Sequence, residues 1–85
     1  MLYDSYTPRY LRGRIRALKL NKKNHLKQIE QLNLVLANLE VANNPFQRAY
    51  TLFVISEHNR IIANLEENIE LFQNYLAIRL EQGRL

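Results

Sequence analysis

The sequence contains no cysteine and no tryptophan, and its 85 residues include only two glycines and two prolines. Without cysteine, the chain can form neither a disulfide framework nor a thiolate metal site. Two glycines are too few for a glycine-rich phosphate loop or for a sheet of tight hairpins. These absences exclude small disulfide scaffolds, zinc fingers and P-loop enzymes.

Long hydrophobic runs are also missing. The longest mostly apolar stretch, residues 49–55, is too short to cross a bilayer. Residues 1–7 carry Asp4 and no basic side chain, so no secretory signal peptide fits there. The apolar fraction of 47% indicates a folded chain rather than a disordered one. We therefore expect a single cytoplasmic domain over residues 1–85, with no membrane contact.

Two dipeptides have the form of a helix start. In Thr7-Pro8 and in Asn44-Pro45, a residue that can cap the first turn precedes a proline at the first helical position. Gln47 follows Asn44 by three residues, which is the spacing of a capping box. The pattern predicts one helix after each dipeptide.

The two predicted helices cover about residues 8–42 and 45–82, with a turn at 43–44 and frayed termini. Because so short a connection joins antiparallel neighbours, the expected fold class is all-α, a long antiparallel helical hairpin of coiled-coil type. Gly13 and residues 21–24 are poor helix-interior sequence, and a break near 21–24 would give three helices. Residues 50–55 could form a strand, but a lone strand has no partner, so we expect helix.

Both helices repeat apolar residues at steps of three and four, the spacing of a coiled-coil seam. The first series is Leu11, Ile15, Leu18, Lys22, His25, Ile29, Leu32, Leu36 and Leu39. The second series is Val54, His58, Ile61, Leu65, Ile69, Phe72, Leu76 and Leu80. Lys22, His25 and His58 interrupt the seam, and such polar residues fix register and oligomeric state at some cost in stability. A pH-sensitive interface is the alternative for the histidines.

The closed end of the hairpin, residues 32–42 and 46–55, carries only Glu40 and Arg48 as charged residues. Helices that are apolar on nearly every side are normally buried on nearly every side, which a lone hairpin cannot achieve. We expect a homodimer, a four-helix bundle of two hairpins, with a heterologous partner or a further helix of the chain as alternatives. The candidate self-association residues are Leu36, Leu39, Phe46, Tyr50, Phe53 and Val54.

The open end of the hairpin is basic, with eight positive charges and no acid between Arg9 and Lys27. The candidate partner-binding patch comprises Arg9, Arg12, Arg14, Arg16, Lys19, Lys23 and Lys27 together with Tyr6 and Tyr10. Cations beside aromatic rings are typical of nucleic-acid binding, and an acidic protein surface would also fit. Alternatively, lysines of this stretch pair across the hairpin with acids of the second helix. These acids are Glu66, Glu67 and Glu70.

Catalytic signals are absent from the sequence. It has no cysteine nucleophile, no Gly-x-Ser-x-Gly and no His-Glu-x-x-His. A metal site made from His25, His58, Glu57 and Glu30 is conceivable, but bundle metal sites repeat a Glu-x-x-His motif that is missing here. We expect no catalytic residue, no metal site and no cofactor.

The sequence therefore favours a non-enzymatic helical protein that occupies a surface on a larger macromolecule, with an acidic or nucleic-acid-handling protein as the expected partner. In length and composition the chain resembles the small stand-alone inhibitors made by phages and mobile elements, anti-CRISPR proteins among them, and this likeness implies an inhibitor. One alternative is a dimeric nucleic-acid-binding regulator that grips phosphates through the basic N-terminal helix. The other is a structural coiled-coil assembly unit.

Overall fold

A computed structural model describes residues 6–84 and contains three helices in this range. They are α1 (Pro8–Ala37), α2 (Leu39–Ala42) and α3 (Pro45–Arg84). The two long helices pack antiparallel, and the chain measures 63 × 18 × 14 Å. This confirms the all-α helical hairpin, and residues 50–55 are helical as expected. In the described part of the chain, no helix is both long enough and apolar enough to cross a membrane.

Both predicted helix starts are confirmed by hydrogen bonds. Thr7 Oγ1 accepts from the backbone N–H of Tyr10 at 3.1 Å, and Asn44 Oδ1 accepts from that of Gln47 at 3.1 Å. The backbone N–H of Asn44 donates to Val41 O at 3.1 Å. The capping box at α3 is therefore made in one direction, because the group that Gln47 would return to is already satisfied.

The first long helix ends earlier than predicted, at Asn38. α1 runs without interruption through Gly13 and residues 21–24, so the break lies at neither of the proposed positions. Asn38 is extended, with φ −70° and ψ 126°, and its Oδ1 accepts from the N–H of Glu40 at 2.9 Å. Because an asparagine side chain can replace a helical backbone partner in this way, it stops α1 and starts α2.

The buried hydrophobic residues of the described chain lie in the half of the hairpin that is farther from the turn, except Ile62, which lies near the middle of α3. They are Leu11, Ile15 and Leu18 of α1 and Ile62, Leu65 and Ile69 of α3. The seam continues toward the turn through half-buried residues, among them Ile29, Leu32 and Leu36. The core is therefore concentrated in one half of an elongated molecule.

Near the turn the packing differs from the predicted seam. Leu39 is exposed, because the chain leaves the α1 helix at Asn38. Thr51 is buried instead, and its hydroxyl donates to Gln47 O at 2.8 Å. This bond within α3 satisfies the hydroxyl, so a polar residue replaces an apolar one where the two helices meet.

Candidate binding surfaces

One side of α1 carries a continuous row of exposed cations, which we call the basic stripe. It consists of Arg9, Arg12, Arg16, Lys19, Lys23 and Lys27. Because α1 is unbroken, their steps of three and four residues keep them on one side. Within residues 6–84, none of these six side chains makes an ion pair or a hydrogen bond. Their charge is therefore available to an external group.

Among residues 6–84, the ion pair that crosses the hairpin involves a lysine next to the stripe. Lys22 Nζ lies 3.2 Å from Glu66 Oε1, and both side chains are partly exposed. Glu67 and Glu70 make no ion pair with any described residue. A single exposed pair of this kind contributes about 0–1 kcal/mol to stability. The alternative, in which acids of α3 pair with the lysines of α1, is therefore represented by this one weak contact.

Part of the basic stripe borders an open groove between the two long helices, of about 370 Å³, which we call the basic groove. Its lining residues are Arg12, Ile15, Arg16, Lys19, Gln73 and Leu76. Buried Ile15 and half-buried Leu76 supply an apolar floor, and the three cations stand along one rim. A groove of this composition fits an apolar side chain flanked by carboxylates, which guanidinium groups bind through paired hydrogen bonds.

The remaining members of the predicted patch, Arg14, Tyr10 and Tyr6, lie away from the basic groove, and Tyr6 precedes α1. The guanidinium carbon of Arg14 lies 5.8 Å from the centre of the Phe72 ring, and the ring of Tyr10 packs on that of Tyr6 at 4.8 Å. Arg14 and Tyr10 are each two residues from Arg12, so their side chains leave the helix about 160° around the axis from it. The structure thus separates Arg14 and the tyrosines from the basic groove.

Arg79 holds the segment before α1, a role that the sequence analysis missed. Its Nε donates to Tyr6 O at 3.1 Å, and its Nη1 donates to Gln82 Oε1 at 3.3 Å. The two residues of the first contact are 73 positions apart in the chain. No local sequence pattern signals a side-chain bond to a backbone carbonyl over that separation.

The two histidines meet on the seam. His25 Nδ1 and His58 Nδ1 are 2.8 Å apart, and the rings are half-buried, with centres 5.0 Å apart and planes 53° apart. One ring must donate and the other accept, so the pair holds one proton between its two Nδ1 atoms. The histidines therefore interrupt the seam as a polar pair, and their role in fixing register stays a prediction.

The imagined metal site is not assembled. Within residues 6–84, no group of three or more His, Asp or Glu side chains could hold a metal ion. Glu57, one of the proposed ligands, is instead bound to Arg60, with Oε2 and Nη2 2.8 Å apart.

The closed end exposes three rings on one side of α3, which we call the aromatic stripe. Phe46, Tyr50 and Phe53 follow steps of four and three residues, and their exposed fractions are 80%, 63% and 61%. Leu36 and Val54, also predicted to mediate self-association, are half-buried along the seam. The predicted set therefore divides into residues of the hairpin's own seam and residues open to a partner.

Comparisons with protein-family models, with curated proteins and with solved structures find no match to this chain. A function therefore has to be argued from the chemistry of the basic groove and the aromatic stripe.

Proposed function

We propose that this chain is a non-enzymatic cytoplasmic binding protein whose basic groove docks on an acidic, partly apolar segment of a larger protein. The observation that carries the proposal is the groove itself, in which Arg12, Arg16 and Lys19 border the apolar side chains of Ile15 and Leu76. These three cations make no ion pair with any residue of the range 6–84. A protein that inhibits by covering its partner's surface needs no further machinery. The inhibitor role belongs to this proposal.

The energy available at the groove is sufficient for specific recognition. A hydrogen bond to a charged group contributes about 1.5–3 kcal/mol, roughly tenfold or more in affinity. The two guanidinium groups can each form a bidentate pair with a carboxylate, which fixes direction as well as strength. An apolar side chain on the floor would add burial that salt does not screen.

An acidic protein fits this geometry better than a nucleic acid does. A phosphate backbone has no apolar group to place against Ile15 and Leu76. Tyr10 and Tyr6, which would have to stack on bases, pack on each other, and Tyr10 leaves α1 on a different side from Arg12. Nucleic-acid binding is therefore not what we propose, and the test described next distinguishes it from protein binding.

The test uses two variants with the same change of charge in one turn of α1. Arg16→Glu reverses a cation of the groove, whereas Arg14→Glu reverses the neighbouring cation over Phe72. Immobilised wild type and variants are exposed to extracts of the source cells, and the retained proteins are quantified by mass spectrometry. We expect at least one acidic protein whose affinity falls about tenfold or more with Arg16→Glu and little with Arg14→Glu.

Circular dichroism should show equal helicity for both variants, since exposed charge changes usually alter stability by about 0.5 kcal/mol or less. Equal loss of the retained protein with both substitutions would overturn the groove as the binding site. Binding to labelled single-stranded DNA that is tight, falls log-linearly with salt and is lost with Arg16→Glu would replace the proposal with nucleic-acid binding.

A further inference from the structure

We infer that the aromatic stripe seats the same stripe of a second copy of this chain, in an antiparallel, two-fold arrangement that overlaps only the closed ends. The inference does not depend on the basic groove. It specifies which face of α3 mediates the predicted self-association, and it specifies that the two α3 helices run antiparallel.

The apolar area of the stripe matches one side of a stable dimer. An aromatic side chain has about 150–250 Å² of surface, so three rings at 61–80% exposure present on the order of 400 Å². A standard interface buries about 800 Å² per partner, of which about 65%, roughly 520 Å², is apolar in homodimers. The three rings of one copy therefore present most of the apolar area that one half of such an interface requires.

The interior of the hairpin does not account for these rings. Its buried hydrophobic residues fall within 11–18 and 62–69, and Phe46, Tyr50 and Phe53 contribute nothing to that core. The three exposed rings follow steps of four and three residues. This is the spacing of a seam, so α3 can make a second helix–helix contact on this side.

Two charged residues that follow the aromatic stripe along α3 favour an antiparallel contact between the two copies. Glu57 and Arg60 follow the rings on the same side of α3 and are bound to each other. In a parallel pairing each would face its own copy, Glu57 opposite the partner's Glu57 and Arg60 opposite the partner's Arg60, and like charges directly opposed are unfavourable. An antiparallel pairing avoids both contacts.

An antiparallel axis between Tyr50 and Phe53 also gives the better ring packing. Tyr50 then lies opposite the partner's Phe53, and Phe46 lies opposite the partner's Glu57. The rings of both copies form the centre of the interface, and the Glu57–Arg60 pairs form its charged rim, which is the usual anatomy of a protein interface.

This arrangement fixes the shape of the dimer. An overlap of about 14 residues of α3 spans about 21 Å. Two hairpins of 63 Å then make an assembly of about 105 Å, with the basic grooves at opposite ends and uncovered. A parallel dimer would keep the length of one hairpin.

The first measurement is mass in solution by sedimentation of the full chain from 1 to 100 μM. We expect twice the chain mass of 10.1 kDa at the higher concentrations. Phe53→Glu should weaken the dimer by about 30-fold or more, as expected for a central aromatic. Leu20→Glu, a matched change at an exposed leucine of α1, should leave the dimer intact. A wild-type chain that stays monomeric at 100 μM, or equal dissociation by both variants, would overturn the inference.

The second measurement tests the direction of the contact, at a concentration at which sedimentation shows each variant to be dimeric. Because the chain has no cysteine, a single introduced cysteine reports one position. Tyr50→Cys lies close to the proposed axis, whereas Glu57→Cys lies about 16 Å from its own copy across it. A short thiol cross-linker should join Tyr50→Cys dimers at least several-fold faster. Equal cross-linking at both positions indicates the parallel arrangement, and a maximum dimension near 65 Å in small-angle scattering of the dimer would do the same.

Discussion

At the scale of single residues, Gly13 is a place where the sequence falls short of the best helix. It lies in the interior of α1 with ordinary negative φ, and nothing lies within 4 Å of the place where a Cβ would stand. Gly13→Ala should raise the free energy of unfolding by about 0.5–1 kcal/mol, because alanine loses less backbone entropy on forming helix.

Urea titration with an unchanged slope measures this gain. Gly83→Ala is the matched control, because Gly83 also has open space around it but lies in the last turn of α3, where the helix ends fray. A Gly13→Ala chain that is less stable than wild type would contradict the expectation.

The histidine pair contributes a hydrogen bond that needs both residues. His25 Nδ1 and His58 Nδ1 are 2.8 Å apart, and one ring donates while the other accepts. Replacing one histidine alone leaves a half-buried polar atom of the other without this partner. The single variant His25→Leu should therefore lower the free energy of unfolding by about 1–3 kcal/mol.

The double variant His25→Leu/His58→Leu is the matched control. We expect it to be at least as stable as wild type, because replacing both partners leaves no group unsatisfied. Urea unfolding compares the two variants with wild type. A single variant as stable as the double variant would show that the pair has no such role.

At the scale of the elements, the start of α3 allows the two residues of the capping box, Asn44 and Gln47, to be tested one at a time. Asn44→Ala removes the acceptor of the Gln47 N–H and should cost about 1 kcal/mol. Gln47→Ala should cost much less, because the N–H of Asn44 is already bound to Val41 O. Thermal unfolding followed by circular dichroism compares the two, and equal losses would indicate a complete capping box.

The helices were predictable because their signals are local and repeated. Both starts, the antiparallel pairing and most of the seam follow from cap residues and steps of three and four. The stop at Asn38 was not predictable, because asparagine occurs at several other positions inside the helices, as at Asn21 and Asn64, without ending them. The choice depends on whether the side chain finds a backbone N–H, which is a property of the folded chain.

The candidate surfaces were predictable to a lesser degree. The basic stripe follows from periodicity along one helix, and its six residues are all exposed. The basic groove needs Gln73 and Leu76 from α3, and their alignment with Arg12 depends on the register of the two helices. Arg14 was included because it is near in sequence, and the 100° step of the helix places it elsewhere.

At the scale of the whole molecule, the chain is divided along its long axis. One half holds the buried core and most of the positive charge, and the other holds exposed rings with few charges. A substitution that abolishes binding at one end should therefore leave binding at the other end unchanged. Because of this division, the Arg16→Glu and Phe53→Glu variants test two separate binding surfaces.

The position of the core also bears on how quickly the hairpin can form. The core residues Leu18 and Leu65 are 47 positions apart, while the helix segments nearest the turn bury little. Zipping up from the turn would therefore fix many residues before any large gain from burial, and the chain has to close a long loop first. The rate-limiting step of folding should be this encounter between distant segments, with the turn ordered late even though it is the most local part of the chain.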